Sequence, residues 1–170
     1  EELGFLSRHD SDGFNRWEAG QRLSIALIGA LESGTNNEQL EEAKQAFKAM
    51  MRHHLAAAQR VNDDAVDGAS VAYSLALPGL AFLGELRGEV NVDTLVAARK
   101  AAKSIVADDL YEGLIGAMAA ARSEAPFEMT PSAVGRRAIV TICLDYLLAS
   151  SHDNAVSLAE DIYRSADNMT

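Results

Sequence analysis

Residues 9–21, HDSDGFNRWEAGQ, crowd a His, three acidic side chains, an Asn, an Arg and a Trp into one short stretch. Such a mixture has the makings of an acid–base cluster, but its spacing also describes the start of a helix. Asp12 ahead of Gly13, Phe14 and Asn15 holds the position of an N-cap, and Asn15 with Glu18 three residues on has the spacing of a capping box. Either arrangement uses acidic or polar groups to satisfy free amides at the positive end of a helix, with Trp17 anchoring the first turn. The helix start is the better account of these residues.

The remaining reactive side chains are spaced no better for chemistry. Zinc hydrolysis on a helix needs two His four residues apart, usually as H-E-x-x-H. His9, His53, His54 and His152 contain no such pair, and neighbours such as His53 and His54 diverge by about 100° around a helix. They read as exposed helix histidines. Cys143 stands among Ile, Leu and Val and reads as a small buried hydrophobe in a reducing compartment. Asp108, Asp109 and Glu112, and likewise Glu38, Glu41 and Glu42, are paired carboxylates only on paper. A glycosidase-type pair needs one member in a cleft with a raised pKa, whereas these lie in strings of solvated helical residues. Met50 and Met51 read as core filling beside Phe47. The sequence has no G-x-S-x-G elbow, no P-loop and no G-x-G-x-x-G after a strand. No catalytic, cofactor-binding or metal-ligating residue is assigned, and no cofactor.

The elements that carry these residues are helical. Apolar residues recur at three- and four-residue spacing, with prolines only at positions 78, 126 and 131. A first helix is expected from about Gly13 to Leu31, nearly continuously apolar after Leu23 and so contacted on more than one side. A second, about Asn37 to Arg60, is amphipathic, with Leu40, Ala43, Phe47, Met50 and Met51 on one stripe. Asp63 or Asp64 caps a third that stops near Leu77 before Pro78 and Gly79, and LAFLGEL adds a brief turn of helix. The longest pattern runs from Asp93 to about Glu124, bent near Asp108 and Asp109. Gly113 and Gly116 inside it cost roughly 1 kcal/mol each, most easily offset by the close approach of another helix. Thr130 and Pro131 open a helix to about Ala149 that is apolar nearly all round and should be central. Asp153 caps the last, with Ala155, Leu158, Ala159 and Ile162 inward. The class is all-α: six to seven antiparallel helices forming either an irregular bundle or an α-solenoid without a fixed repeat, in a single domain over 1–170.

Composition narrows the role. A net charge of -10 opposes nucleic-acid binding, which depends on clustered Lys and Arg. No apolar run approaches the roughly 20 residues of a membrane span and no signal sequence leads the chain, so the expectation is a soluble, cytoplasmic protein with no membrane partner. The absence of an initiating Met and the abrupt end at Ala-Asp-Asn-Met-Thr give the expectation of a piece of something longer.

The opening stretch also carries a resemblance. HDSDGFNRWEAGQ is similar to the segment with which the C-terminal helical domain of bacterial aminopeptidase N begins, in the alanyl aminopeptidase family of zinc exopeptidases, where Pro is common at the position of Gly13. Leu75, Leu77, Pro78, Leu83, Glu85, Asp93, Ala98 and Arg99 resemble a second family sequence, and Asn168, Met169 and Thr170 a third, all in order along the chain. Gly79, Leu80 and Ala81 depart from the more polar family turn. The resemblance implies a curved HEAT-like stack of helix pairs that walls and gates the peptide chamber of a larger aminopeptidase. It implies zinc in the catalytic domain of that parent, and as partners that domain and the peptides passing through. The family's H-E-x-x-H and G-x-M-E-N motifs are absent from this chain; the GAMAAA run at Gly116–Ala121 lacks the Glu and Asn, so the chain alone is expected to be inactive. The alternative is a free-standing helical scaffold that binds a protein in an interhelical groove; an independent small enzyme is the weakest reading. An isolated segment is expected to expose an apolar patch near its last helix, through which it could dimerise.

Overall fold

The structure, a computed structural model, describes residues 2–34, 38–123 and 125–166. Among these the chain is all-α, with no strand, as the periodicity requires. The helices are α1 (Glu2–His9), α2 (Gly13–Glu32), α3 (Glu38–Ala58), α4 (Gly68–Leu75), α5 (Leu80–Glu85), α6 (Val92–Asp109), α7 (Tyr111–Ala121), α8 (Pro131–Leu147) and α9 (Ala155–Ser165). That is nine among the described residues, against the six to seven expected. Helix α1 was invisible to periodicity because the residues it buries are Gly4 and Ser7, not an apolar stripe. The long pattern from Asp93 is two helices because Leu110, at φ -123° and ψ 24°, leaves helical geometry immediately after the acidic pair.

Capping chemistry sets most starts. Asp12 Oδ1 accepts from the amides of Phe14 and Asn15 at 2.8 and 3.1 Å, and Thr130 Oγ1 accepts from Ala133 N at 3.3 Å with Pro131 opening α8. Three expected caps are corrected. Helix α4 is capped by Asp67, whose carboxylate accepts from Ala69 N at 3.0 Å and Ser70 Oγ at 2.6 Å. Asp63 instead sits in successive turns, its amide on Arg60 O and its carbonyl on Val66 N, each at 2.9 Å. Glu18 closes no capping box but pairs with Arg22 one helical turn on, at 2.7 Å. Asn154, not Asp153, precedes α9, and its side chain makes no cap bond.

Helix α2 is contacted by α1, α3, α4 and α6, which accounts for its apolar second half. Phe47, Met50 and Met51 are fully inside, as core filling should be. Gly113 and Gly116 do admit a close neighbour: a Cβ at Gly113 would lie 3.3 Å from Leu55 Cδ1, and one at Gly116 2.8 Å from Gln59 Nε2. Helix α8 packs on α4, α6, α7 and α9, but it is not buried all round. Ile139, Cys143, Tyr146 and Leu147 face inward, whereas Val134 and Leu148 stay exposed, and Val134, Ala138 and Ile142 form one wall of an open apolar groove whose other wall is α4. In α9 only Ala155 is buried; Leu158, Ala159 and Ile162 are half-buried. Its outer Val156 and Tyr163 are 62% and 83% exposed.

The first two segments that carried the resemblance converge. The carbonyls of the connector 75–78, between α4 and α5, are read by side chains from three other helices. Tyr146 Oη donates to Leu75 O at 2.7 Å, Gln21 Nε2 to Ala76 O at 2.9 Å and Arg99 Nε to Pro78 O at 2.8 Å. Pro78 cannot continue α4, and the groups left over at that helix end are answered by tertiary partners. Asn168, Met169 and Thr170 lie outside the described residues.

Candidate functional site

The opening stretch lines the side of a cleft. Asp10 Oδ1 accepts from Asp12 N at 2.8 Å, and Arg16 Nη1 donates to the carbonyls of Asp10 and Ser11 at 2.7 and 3.3 Å. These bonds hold the guanidinium against the turn that begins α2. On the neighbouring α1, Arg8 Nε donates to Gly4 O at 2.7 Å. Facing both is the middle of α3, with His53 and His54, and beyond it Ser70, Tyr73 and Ser74 of α4. Together with Phe14 and Trp17 they enclose about 570 Å³. Trp17 is 36% exposed, its ring 5.7 Å from that of Phe14, so it forms a wall of the cleft as well as part of the first turn.

Three histidines that look scattered in the sequence meet here. The rings of His9 and His53 are 5.9 Å apart and those of His53 and His54 5.4 Å apart. His9 and His53 are exposed, as expected, but His54 is not: it is 6% exposed, and its Nε2 is buried without a hydrogen-bond partner. Burial, then the charge of its neighbours His53 and Arg16, lowers its pKa to about 4, so the ring is neutral at pH 7. His53 is shifted down by its own partial burial and by the positive groups His9, Arg8, Arg16 and Arg60. Sequence could not signal the cluster because His9 arrives on the unforeseen α1. Among the described residues no three His, Cys, Asp or Glu come together in a way that could hold a metal ion.

The other residues singled out for chemistry lie apart from this cleft. Cys143 is fully buried in α8, and burial raises its pKa to about 12, which leaves the thiol protonated. Asp108 Oδ1 accepts from Ser151 N and Oγ at 2.8 and 3.0 Å, Asp109 pairs with Lys48 at 2.9 Å and Glu41 with Lys44 at 2.7 Å. Glu38, Glu42 and Glu112 are exposed. His152 stacks on Tyr111 at 3.8 Å between ring centroids. Gly116–Ala121 lies inside α7.

An all-helical stack of this kind is a helical-repeat domain, and comparison with known proteins gives its family. The profile described as "Domain of unknown function (DUF3458_C) ARM repeats" matches residues 1–170. The chain belongs to that family, the C-terminal helical domain of the aminopeptidase N family. It is 32% identical over 164 residues to aminopeptidase N of Caulobacter vibrioides, covering 95% of this chain and 18% of the relative. It is 25% identical over 172 residues to aminopeptidase N of Escherichia coli K12, covering 100% and 19%. The fold matches a crystal structure of Legionella pneumophila aminopeptidase A in complex with aspartic acid, with a TM-score of 0.77 at 20% identity, over 99% of this chain and 20% of that one. The chain thus spans about a fifth of the length of these proteins. None of the described helices is long and apolar enough to cross a membrane.

Proposed function

We propose that this chain is a non-catalytic capping domain of a zinc aminopeptidase N, part of a larger cytoplasmic polypeptide, and that it walls and gates the way to a peptide-cleaving chamber. The observation that carries this reading is the match of the whole chain to about one-fifth of aminopeptidase N relatives. The residues here do not fit a role in holding zinc: H-E-x-x-H is absent from the sequence and the described residues assemble no metal-capable cluster. The metal and the residues that activate water are therefore assigned to the remainder of the parent, and the catalytic domain of that parent is the proposed partner. The exposed apolar side chains of α5 and α9, among them Phe82 and Tyr163, suit a domain that packs against further protein.

The test is an immunoblot of source-cell extract with antibody raised to this chain, with fractionation alongside an assay for release of N-terminal alanine. A single band several times larger, co-purifying with chelator-sensitive activity, is the expected result. A lone band of the chain's own size without activity would overturn the reading in favour of a free-standing scaffold.

A further inference from the structure

The cleft beside the opening stretch has a charge that the chain as a whole does not. The protein carries 25 Asp and Glu against 15 Lys and Arg, yet no Asp or Glu stands among the described residues that line this cleft, while Arg8, Arg16 and His53 do. Neither guanidinium is ion-paired among the described residues. Each is fixed through a bond to a backbone carbonyl, Arg8 on Gly4 and Arg16 on Asp10 and Ser11, and that geometry leaves further N–H donors on each without a carboxylate to receive them. Next to these cations the walls turn aromatic, with Phe14 and Tyr73 64% and 70% exposed and Trp17 36%.

Two guanidiniums held in place and without an ion pair among the described residues, beside exposed rings, form a receptor for an anion attached to a flat apolar body. Arg matches the planar fork of a carboxylate, and bonds between charged partners are the strong ones. The buried His54 in the same lining adds a neutral imidazole whose Nε2 is unanswered, a polar group that natural interiors rarely leave so. We propose that this cleft binds a small organic carboxylate, with its anionic end on Arg8 and Arg16 and its apolar or aromatic body against Phe14, Trp17 and Tyr73. The proposal uses residues of this chain alone and does not rest on the aminopeptidase reading.

The probe set is phenylacetate, its neutral counterpart phenylacetamide, and acetate, each titrated into the full chain. Binding is followed by calorimetry and by the ring-carbon NMR signals of the four histidines. Expected is saturable binding of phenylacetate that moves the His53 and His54 signals and leaves His152 in place. Phenylacetamide and acetate should each bind at least about tenfold more weakly, the equivalent of one lost charge-assisted or stacking contact. Arg16→Gln should weaken phenylacetate by a similar factor, and Arg16→Lys should restore part of it. Phenylacetamide or acetate binding as well as phenylacetate, a response centred on His152, or no saturable binding of phenylacetate would each overturn the proposal. The comparison of the three probes on the unmodified chain stands even if the Arg16 variants do not fold.

Discussion

Gly135 and Gly116 each lie where an added Cβ would meet a close neighbour, but alanine should destabilise only the first. A Cβ at Gly135 would stand 2.8 Å from Ala69 N and 3.0 Å from Gly68 C, backbone atoms of α4 that cannot swing aside. To reach ordinary contact at 3.4 Å, α4 and α8 must separate by roughly 0.6 Å. A gap of that size forfeits about a quarter to a half of the dispersion along an interface. Overpacking of this sort costs about 1–3 kcal/mol, and with backbone on the receiving side the upper part of that range applies. Against it, alanine regains roughly 1 kcal/mol of helix propensity. Gly135→Ala should therefore lose about 2 kcal/mol net, a fall in Tm of about 4–8 °C for a chain of this size. At Gly116 the obstructing atom is the end of the Gln59 side chain, held only by a 3.4 Å bond to Gly113 O. That group can rotate away, so Gly116→Ala should be neutral or up to about 1 kcal/mol more stable. Thermal and urea unfolding followed by far-ultraviolet circular dichroism reads both. A Gly135→Ala protein as stable as the parent, or two variants that shift alike, would refute the argument.

Three further outcomes follow from the geometry. Tyr146→Phe strips the buried carbonyl of Leu75 of its donor and should cost about 1–3 kcal/mol in urea unfolding. Because His54 titrates at about 4 when folded and near 6.5 when free, the unfolded chain takes up the proton first. Stability should therefore fall as pH drops from about 6.5 towards 4, by about 3 kcal/mol from this group; His54→Gln should flatten that part of the stability profile relative to the parent, and an unchanged profile would contradict it. Cys143 should resist a thiol reagent at pH 8 in the native protein and react at once in denaturant.

How much could be read beforehand depended on whether the signal was local. The caps at Asp12 and Thr130 and the burial of Phe47, Met50 and Met51 were legible because a few neighbouring residues determine them. Asp63 had the right chemistry for a cap, but its amide on Arg60 O and its carbonyl accepting from Val66 N keep residues 60–66 in turns, and Val61 is buried beside Gly68, so the helix starts only after Asp67. Helix α1 buries Gly4 and Ser7, small residues whose value is close approach, and periodicity does not register it. The cleft was hidden for the same reason. His9, Arg8, Arg16, His54 and Tyr73 come from four different helices, and only the fold brings them together. The first two segments of the resemblance, by contrast, do meet in space, since Gln21 of α2 and Arg99 of α6 both donate to carbonyls of the connector that holds Pro78.

That connector bears on how the protein is made. In a simple solenoid each repeat leans on its neighbours in sequence, and folding can spread from any point. Here the most extensive helix contact joins α4 to α8, across the intervening α5, α6 and α7, and Leu75 waits for a hydroxyl 71 residues downstream. As synthesis proceeds, α4 leaves the ribosome before α8 exists, and although Gln21 is already there for Ala76 O, the side of α4 that meets α8 and the carbonyls of Leu75 and Pro78 still lack their partners. Helices α1 to α3 can pack on one another as they emerge, whereas α4 and its connector are completed only when α8 arrives.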